Sequence, residues 1–345
     1  MAVATGIRAG LPGRSTGART GWRPLLLVLL GIVGCLPPAT SLAGVWGRNY
    51  FPNYRLVNQD GEELRFYDDV IKGKVVSINF MFTSCADVCP VETAKLRQVQ
   101  QMLGDRVGRD VFMYSITIDP EHDTPEVLKA YREQFNIGPG WQFLTGKREE
   151  IEDLQKRFGL YVRSRQEIDP LDHNVSLMLG NEATGRWLKR SPFDNPAVLA
   201  NTLGYALHGN RRNPALASYD QAHRIESFDR GEYLFRTRCA SCHTLGGGVA
   251  VGPDLLHVTA VRDRDWLARW IREPDAMIAE GDPLAKRLVA AYKGLPMPNL
   301  SLNEVDVEAL LKFLEQQHAA SGKLRTAATE DQLRPPDPPE AQPDD

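Results

Sequence analysis

Two close cysteine pairs hold most of the chemistry this chain can do. Cys239 and Cys242 flank Ala240-Ser241, and His243 follows at once. Two thiols three residues apart at the end of a helix can each add to one vinyl group of a haem, with the adjoining histidine held beneath the iron. Cys-x-x-Cys-His is the attachment motif of a c-type haem. Cys239 and Cys242 are therefore the expected thioether positions of haem c, and His243 an axial iron ligand. A zinc or redox Cys-x-x-Cys would carry the histidine only by chance. The other pair lies in Thr83-Ser84-Cys85-Ala86-Asp87-Val88-Cys89-Pro90, after an apolar run. At a helix N-terminus the dipole and free amides favour thiolate over thiol. Four-residue spacing puts the Cβ atoms about 6 Å apart on one helical face. That suits chelation of a metal or, after modest adjustment, closure of a disulfide. A purely structural disulfide in so short a loop would stabilise little. His122, His257 and His318 are expected at the surface.

The elements that must position these residues fall into two groups. Val75–Phe82 is almost continuously apolar, as in a strand buried on both faces. Helical spacing over Val91–Leu103 follows, then a second buried strand at Val111–Ile118 and a helix over Pro125–Phe135 opened by its proline. A further strand and helix fit Trp141–Leu144 and Lys147–Phe158, and a hairpin joins Val175–Leu179 to Arg186–Lys189. Such alternation predicts an α/β sandwich with a mostly parallel sheet over residues 45–207. Residues 208–224 read as a linker across which few contacts are expected. Strand signals vanish beyond it, and helices fit Phe228–Arg238, Arg264–Arg272, Pro283–Tyr292 and Glu304–Gln317, the last with a Ser301/Glu304 capping box. The all-α domain is bounded at 225–320, and the proline-rich acidic segment 321–345 is expected to be disordered.

At 345 residues, 42% hydrophobic and 25% charged, the chain is long enough for two cored domains. A net charge of −3 gives no sign of a nucleic-acid partner. No carboxylate precedes Asp60, whereas Arg8, Arg14, Arg19 and Arg23 precede the apolar run Leu25–Gly34. Residues 1–44 thus read as a secretory signal, whose apolar run is too short to span a bilayer comfortably. Cleavage before Gly44 competes with a lipobox-like Ile32-Val33-Gly34-Cys35, in which Cys35 would be lipidated. The folded part is expected outside the cytoplasm, periplasmic and membrane-associated if Cys35 is acylated or the signal retained. Without Cys35, the five cysteines reduce to the two local pairs, which suggests two chemical sites rather than a disulfide framework.

Over Ile225–His318 the chain resembles a class I cytochrome c. Gly231, Tyr233 and Phe235 lie where that family packs its first helix on its last, and Gly252-Pro253-Asp254-Leu255 matches the loop whose proline carbonyl orients the imidazole. Leu295-Pro296-Met297-Pro298-Asn299-Leu300 matches the sixth-ligand loop, which implies Met297 as the second axial ligand ahead of its rival Met277. A thioether there favours ferrous iron and raises the potential. Residues 45–207 resemble the Sco/SenC family, through Cys-x-x-x-Cys-Pro after a strand, Ser115–Pro120 with Asp123-Thr124-Pro125, Trp141–Gly146, and Asp172-His173 before a strand. This resemblance implies a thioredoxin-like fold binding one copper ion through Cys85, Cys89 and His173, a ligand set whose softness suits copper. Ala86 departs from the proline common at that position. The implied role is an assembly factor, metallochaperone or thiol reductant, for the binuclear copper centre of cytochrome c oxidase subunit two. A fused monohaem cytochrome c would supply or accept electrons. The alternatives are a haem-linked thiol–disulfide oxidoreductase, with Cys85 and Cys89 as its redox pair and other redox proteins as partners, or an electron carrier with a docking domain.

Overall fold

Residues 46–85, 88–161, 174–209 and 229–332 are described by a computed structural model, with side chains to residue 322. Cys35, the signal segment, His173 and nearly all of the expected linker lie outside the described residues. In the first domain the chain runs β1 (Arg55–Asn58), β2 (Glu63–Arg65), β3 (Val75–Met81), α1 (Val88–Leu103), β4 (Phe112–Thr117) and α2 (Pro125–Gln134). It continues through β5 (Trp141–Thr145), α3 (Arg148–Arg157), β6 (Leu177–Asn181), β7 (Arg186–Arg190) and α4 (Pro196–Asn201). The strands form one seven-stranded sheet in the order β2-β1-β5-β4-β3-β6-β7. Only β3–β4 and β4–β5 pair in parallel; every other pairing is antiparallel. The expectation of a mostly parallel sheet is thereby corrected. Helical crossovers make the centre parallel, but hairpins at both edges, β1–β2 and β6–β7, need only short turns and run antiparallel.

All seven residues of β3 are buried, as its apolar run requires. Its side chains alternate between two cores. Val75 and Met81 join Leu96, Val99 and Leu103 of α1 and Leu128 and Tyr131 of α2. Val76, Ile78 and Phe80 face Ile151 and Leu154 of α3 and the ring of Phe158. Helices on both faces of a mixed sheet make this domain thioredoxin-like α/β. Helix α2 starts as its sequence dictates, with Thr124 Oγ1 accepting from the Val127 amide and Pro125 in the first turn.

Among the described residues the second domain is helical. Besides a single helical turn at Val258–Val261, its helices are α5 (Arg230–Leu234), running on into a wider turn over Phe235–Cys239, then α6 (Arg264–Arg272), α7 (Pro274–Glu280), α8 (Pro283–Ala291) and α9 (Glu304–Gln332). Helix α5 crosses α9 closely. Phe235 packs on Phe313 at 5.6 Å between ring centroids, and Arg230 binds Asp306 at 2.6 Å. Tyr233, by contrast, is half exposed. The expected capping box is replaced: Asn303 Oδ1 accepts from the Asp306 amide, while Ser301 sits two residues earlier with φ +53°. Helix α9 also runs far past Gln317 into the segment expected to be disordered. Residues 323–332 are rich in Ala, Lys, Arg, Leu, Glu and Gln, all good helix formers, and the first helix-breaking proline is Pro335.

A Cβ on Gly231 would lie 2.1 Å from the Ala309 carbonyl oxygen, so only glycine permits this crossing. Gly231→Ala should destabilise the helical domain by about 1–3 kcal/mol, the usual cost of overpacking. Gly322→Ala, where a Cβ meets nothing within 4 Å, should stabilise it by roughly 0.5–1 kcal/mol. Denaturant unfolding of the two variants checks both signs.

Candidate functional site

The Cys85/Cys89 pair stands where β3 hands over to α1. Cys89 belongs to the first turn of α1 and is fully buried, while Cys85 precedes the helix and is partly exposed. The sulfur of Cys85 accepts from the Cys89 backbone N–H at 3.5 Å, so it serves one of the free amides of the helix start. No disulfide joins them. The approach to this pair is braced by Asp123, whose carboxylate accepts from the Thr83 amide at 3.1 Å and from the hydroxyls of Thr83 and Thr117. Asp123, noticed in the sequence only as part of a motif, therefore ties the dithiol segment to the end of β4.

Glu92, one turn below Cys89, is a functional residue the sequence reading missed. It is buried, with Oε1 accepting from Asn79 Nδ2 at 2.9 Å and Oε2 without a hydrogen-bond partner. Asn79 in turn accepts from Ser115 Oγ at 2.7 Å, and Ser115 from Trp141 Nε1 at 3.0 Å. The chain of bonds crosses β5, β4 and β3 to reach the helix that bears Cys89. Burial pushes the Glu92 carboxyl up to about 8, against the pull of the Asn79 bond and with a contribution from Cys85. The available signal was the amide of Asn79 inside a strand whose only other polar residue is Ser77. The Cys89 thiol is raised well above its ordinary value by its hydrogen bond with Cys85 and by burial. The thiolate preference expected from the helix dipole is thus reversed here, because desolvation and a neighbouring sulfur outweigh partial charges at a helix end. Among the described residues no three His, Cys, Asp or Glu side chains converge to hold a metal ion. Cys85 and Cys89 supply two soft donors, and the expected third, His173, lies outside the described residues. His122, expected at the surface, is exposed and held by Asp119 at 2.9 Å.

In the helical domain, Cys239, Cys242, His243 and Met297 line one apolar cavity of about 350 Å³. The turn after α5 brings the His243 amide to the Cys239 carbonyl at 3.0 Å. The His243 ring is partly buried, and its Nδ1 donates to the Pro253 carbonyl at 2.9 Å, which leaves Nε2 as the free nitrogen. Burial lowers the imidazole's proton affinity, the form an iron ligand needs. A Cβ on Gly252 would lie 2.6 Å from His243 Cε1, so glycine lets the loop close over the ring. Asp254 holds that loop through the amides of Gly246, Gly248 and Leu256, which keep its carboxyl low, at about 2, against its partial desolvation. Met277 is buried against Trp270 and Ala285 and is absent from the cavity wall, whereas Met297 forms part of it. These residues fit a haem c: two thiols that would take the vinyl groups, an imidazole nitrogen and a thioether that would hold the iron, and apolar walls. His257 and His318 are at the surface, their Nδ1 atoms 2.9 Å apart.

The two domains touch. Gln98 of α1 donates to the Ala240 carbonyl at 2.8 Å, and Asn136 to the Ala250 carbonyl at 2.9 Å. Gln134 donates to the Lys293 carbonyl at 2.8 Å, and Lys293 Nζ donates to the Glu133 carbonyl at 2.6 Å and to Asn136 Oδ1 at 2.8 Å.

Fold and sites together define a dithiol-bearing thioredoxin-like domain joined to a helical domain of cytochrome c type. Residues 47–204 match the SCO1/SenC family and residues 228–318 match Cytochrome c. A SCO2-like protein of Rickettsia conorii is 34% identical over 148 residues, 41% of this chain and 69% of that protein. Among solved structures, copper-bound ScoI of Bradyrhizobium japonicum is 27% identical, with a TM-score of 0.37 over 44% of this chain and 95% of that one. The cytochrome c domain of a Pseudomonas putida protein is 50% identical, with a TM-score of 0.26 over 29% of this chain and 94% of that one. The chain belongs to the SCO1/SenC family, with a cytochrome c domain fused behind it.

Two outcomes are expected. The unfolded Glu92 carboxyl ionises near about 4.3, and the folded one near about 8. Between these values only the unfolded chain carries the charge, so the metal-free protein should lose stability as pH rises, by about 1.4 kcal/mol per pH unit at most. Glu92→Gln should flatten that slope in denaturant titrations between pH 5 and 8, taken as round values inside the window. Met297→Ala should leave haem covalently bound but lower its potential and abolish the sulfur-to-iron charge-transfer band, read by redox titration and near-infrared absorption.

Proposed function

We propose that this chain is an extracytoplasmic, copper-binding assembly factor for the binuclear copper centre of cytochrome c oxidase. Subunit two would be its client, and the fused monohaem cytochrome c exchanges single electrons with the copper-binding site. The observation that carries the reading is the unbridged Cys85/Cys89 pair at the junction of β3 and α1, in a chain of the SCO1/SenC family. Copper binding by a solved relative supports the same ligand chemistry. Cys85, Cys89 and His173 would hold the ion, which when bound supplies a one-electron couple and a cargo for delivery. Cys239 and Cys242 would carry the haem, with His243 and Met297 as axial ligands. The basic segment with its apolar run before Cys35 supports export, by a cleaved signal or with Cys35 lipidated. Residues 45–207 are the copper domain in this reading, 208–224 a tether, and 225–320 the haem domain.

Metal titration of the full chain tests it. One copper per chain is expected, with tight binding lost in Cys85→Ala and in Cys89→Ala. His173→Ala should weaken Cu(II) more than Cu(I), because two thiolates satisfy Cu(I) while Cu(II) wants an added nitrogen. A chain that takes up no copper yet cycles a Cys85–Cys89 disulfide readily would be an oxidoreductase instead.

A further inference from the structure

The contact between the two domains is built differently from an incidental packing of neighbours. Its centre is apolar and continuous with the core beneath the dithiol. Cys89 and Val251 belong to one buried cluster, and Cys85, Cys242 and Leu295 pack against it. Both cysteine sites therefore border the same apolar patch. The haem cavity itself is walled partly by the first domain: Pro90, the residue after Cys89, and Phe135, at the end of α2, line it with Cys242 and His243. Around this centre runs a polar rim, formed by Gln98 to Ala240, Asn136 to Ala250, and the exchange between Lys293 and residues 133–136. An apolar centre with a hydrogen-bonded rim is the anatomy of a recognition interface.

The backbone gives an independent sign. Among the described residues only Asn136, Lys293 and Ser301 are non-glycines with positive φ, and the first two meet across this contact. Lysine is disfavoured in that conformation and persists in it only where its surroundings over-determine it. Here Lys293 delivers its ammonium to the carbonyl end of α2, where a cation is favoured, and offers its carbonyl to Gln134.

We propose that this contact is the electron-exchange surface between the two sites: the haem cavity docks, through the Cys242–Val251–Leu295 patch, on the Pro90 end of α1 in its own chain. The proposal rests on the function proposed above and adds the surface and the partner. The haem is then a captive relay rather than a freely diffusing carrier. Each event moves one electron between the two bound metals, one oxidised and the other reduced, with no bond made and no proton transferred. The apolar side chains of the patch lower the local dielectric around both sites.

The test uses the full haem-loaded chain and a variant combining Gln98→Ala, Asn136→Gly and Lys293→Gly, which strips the rim while keeping the two left-handed backbones. Docking is read without copper: ferric haem should shift the amide resonances of α1 and α2 in the parent chain, and those shifts should collapse in the variant. Exchange is read by loading ferrous chain with one equivalent of Cu(II) and following haem oxidation optically. The parent should react with a first-order rate independent of protein concentration, and the variant at least tenfold more slowly with copper stoichiometry unchanged. Absent haem-induced shifts in the parent, a rate proportional to protein concentration, or a variant within twofold of the parent would each overturn the proposal. Haem-induced shifts without any haem oxidation by bound copper would overturn the exchange role and the function it rests on, leaving the contact as a structural dock.

Discussion

Helix α1 is the constraint on which both sites depend. Its inner side, through Leu96, Val99 and Leu103, is packed on the sheet, and burial of several large aliphatic side chains, at about 1.5–3 kcal/mol each, fixes it there. Its first turn holds Cys89, and its flank carries Gln98, which reaches the domain beyond. A shift of this helix would therefore move the dithiol, Glu92 and the docked cavity wall together.

The polar chain from Trp141 to Glu92 shows how this position is specified. Apolar packing is tolerant of small rotations, whereas a file of buried hydrogen bonds through Ser115 and Asn79 fixes one register between sheet and helix. The cost is a carboxyl held in the core with one oxygen unsatisfied. Burial raises the proton affinity of that carboxyl, which favours its neutral form in the core. A second brace, Asp123 to Thr83, holds the other side of the dithiol, so that the two cysteines sit between two anchored segments. The haem domain solves the equivalent problem with glycines: Gly231 admits the helix crossing, and Gly252 admits the imidazole. In both domains the reactive side chains are positioned by groups that do no chemistry of their own.

Much of this was legible in the chain's residues. Continuous apolar runs gave away β3 and β4, helical periodicity gave away α2, with its first-turn proline, and α6, and local spacing announced both cysteine pairs. These features depend on neighbours a few residues apart, and pattern reports such interactions directly. The Cys-x-x-Cys-His motif determined the haem chemistry for the same reason: all three groups lie on one turn.

Other features needed the tertiary structure, because they join residues distant in the chain. The edge hairpins turned an expected parallel sheet into a mixed one, and Asn303 displaced Ser301 as a cap once the preceding loop took its shape. Glu92 and Asn79, thirteen positions apart, become partners only when α1 folds over β3. The lowered rather than raised acidity of Cys89 likewise follows from burial, which no local dipole argument contains. The sequence by itself determined that two cysteine sites exist and what each could bind. Only the folded chain decided that they share one apolar patch, since Pro90 and Val251 lie far apart in the chain and meet through packing alone.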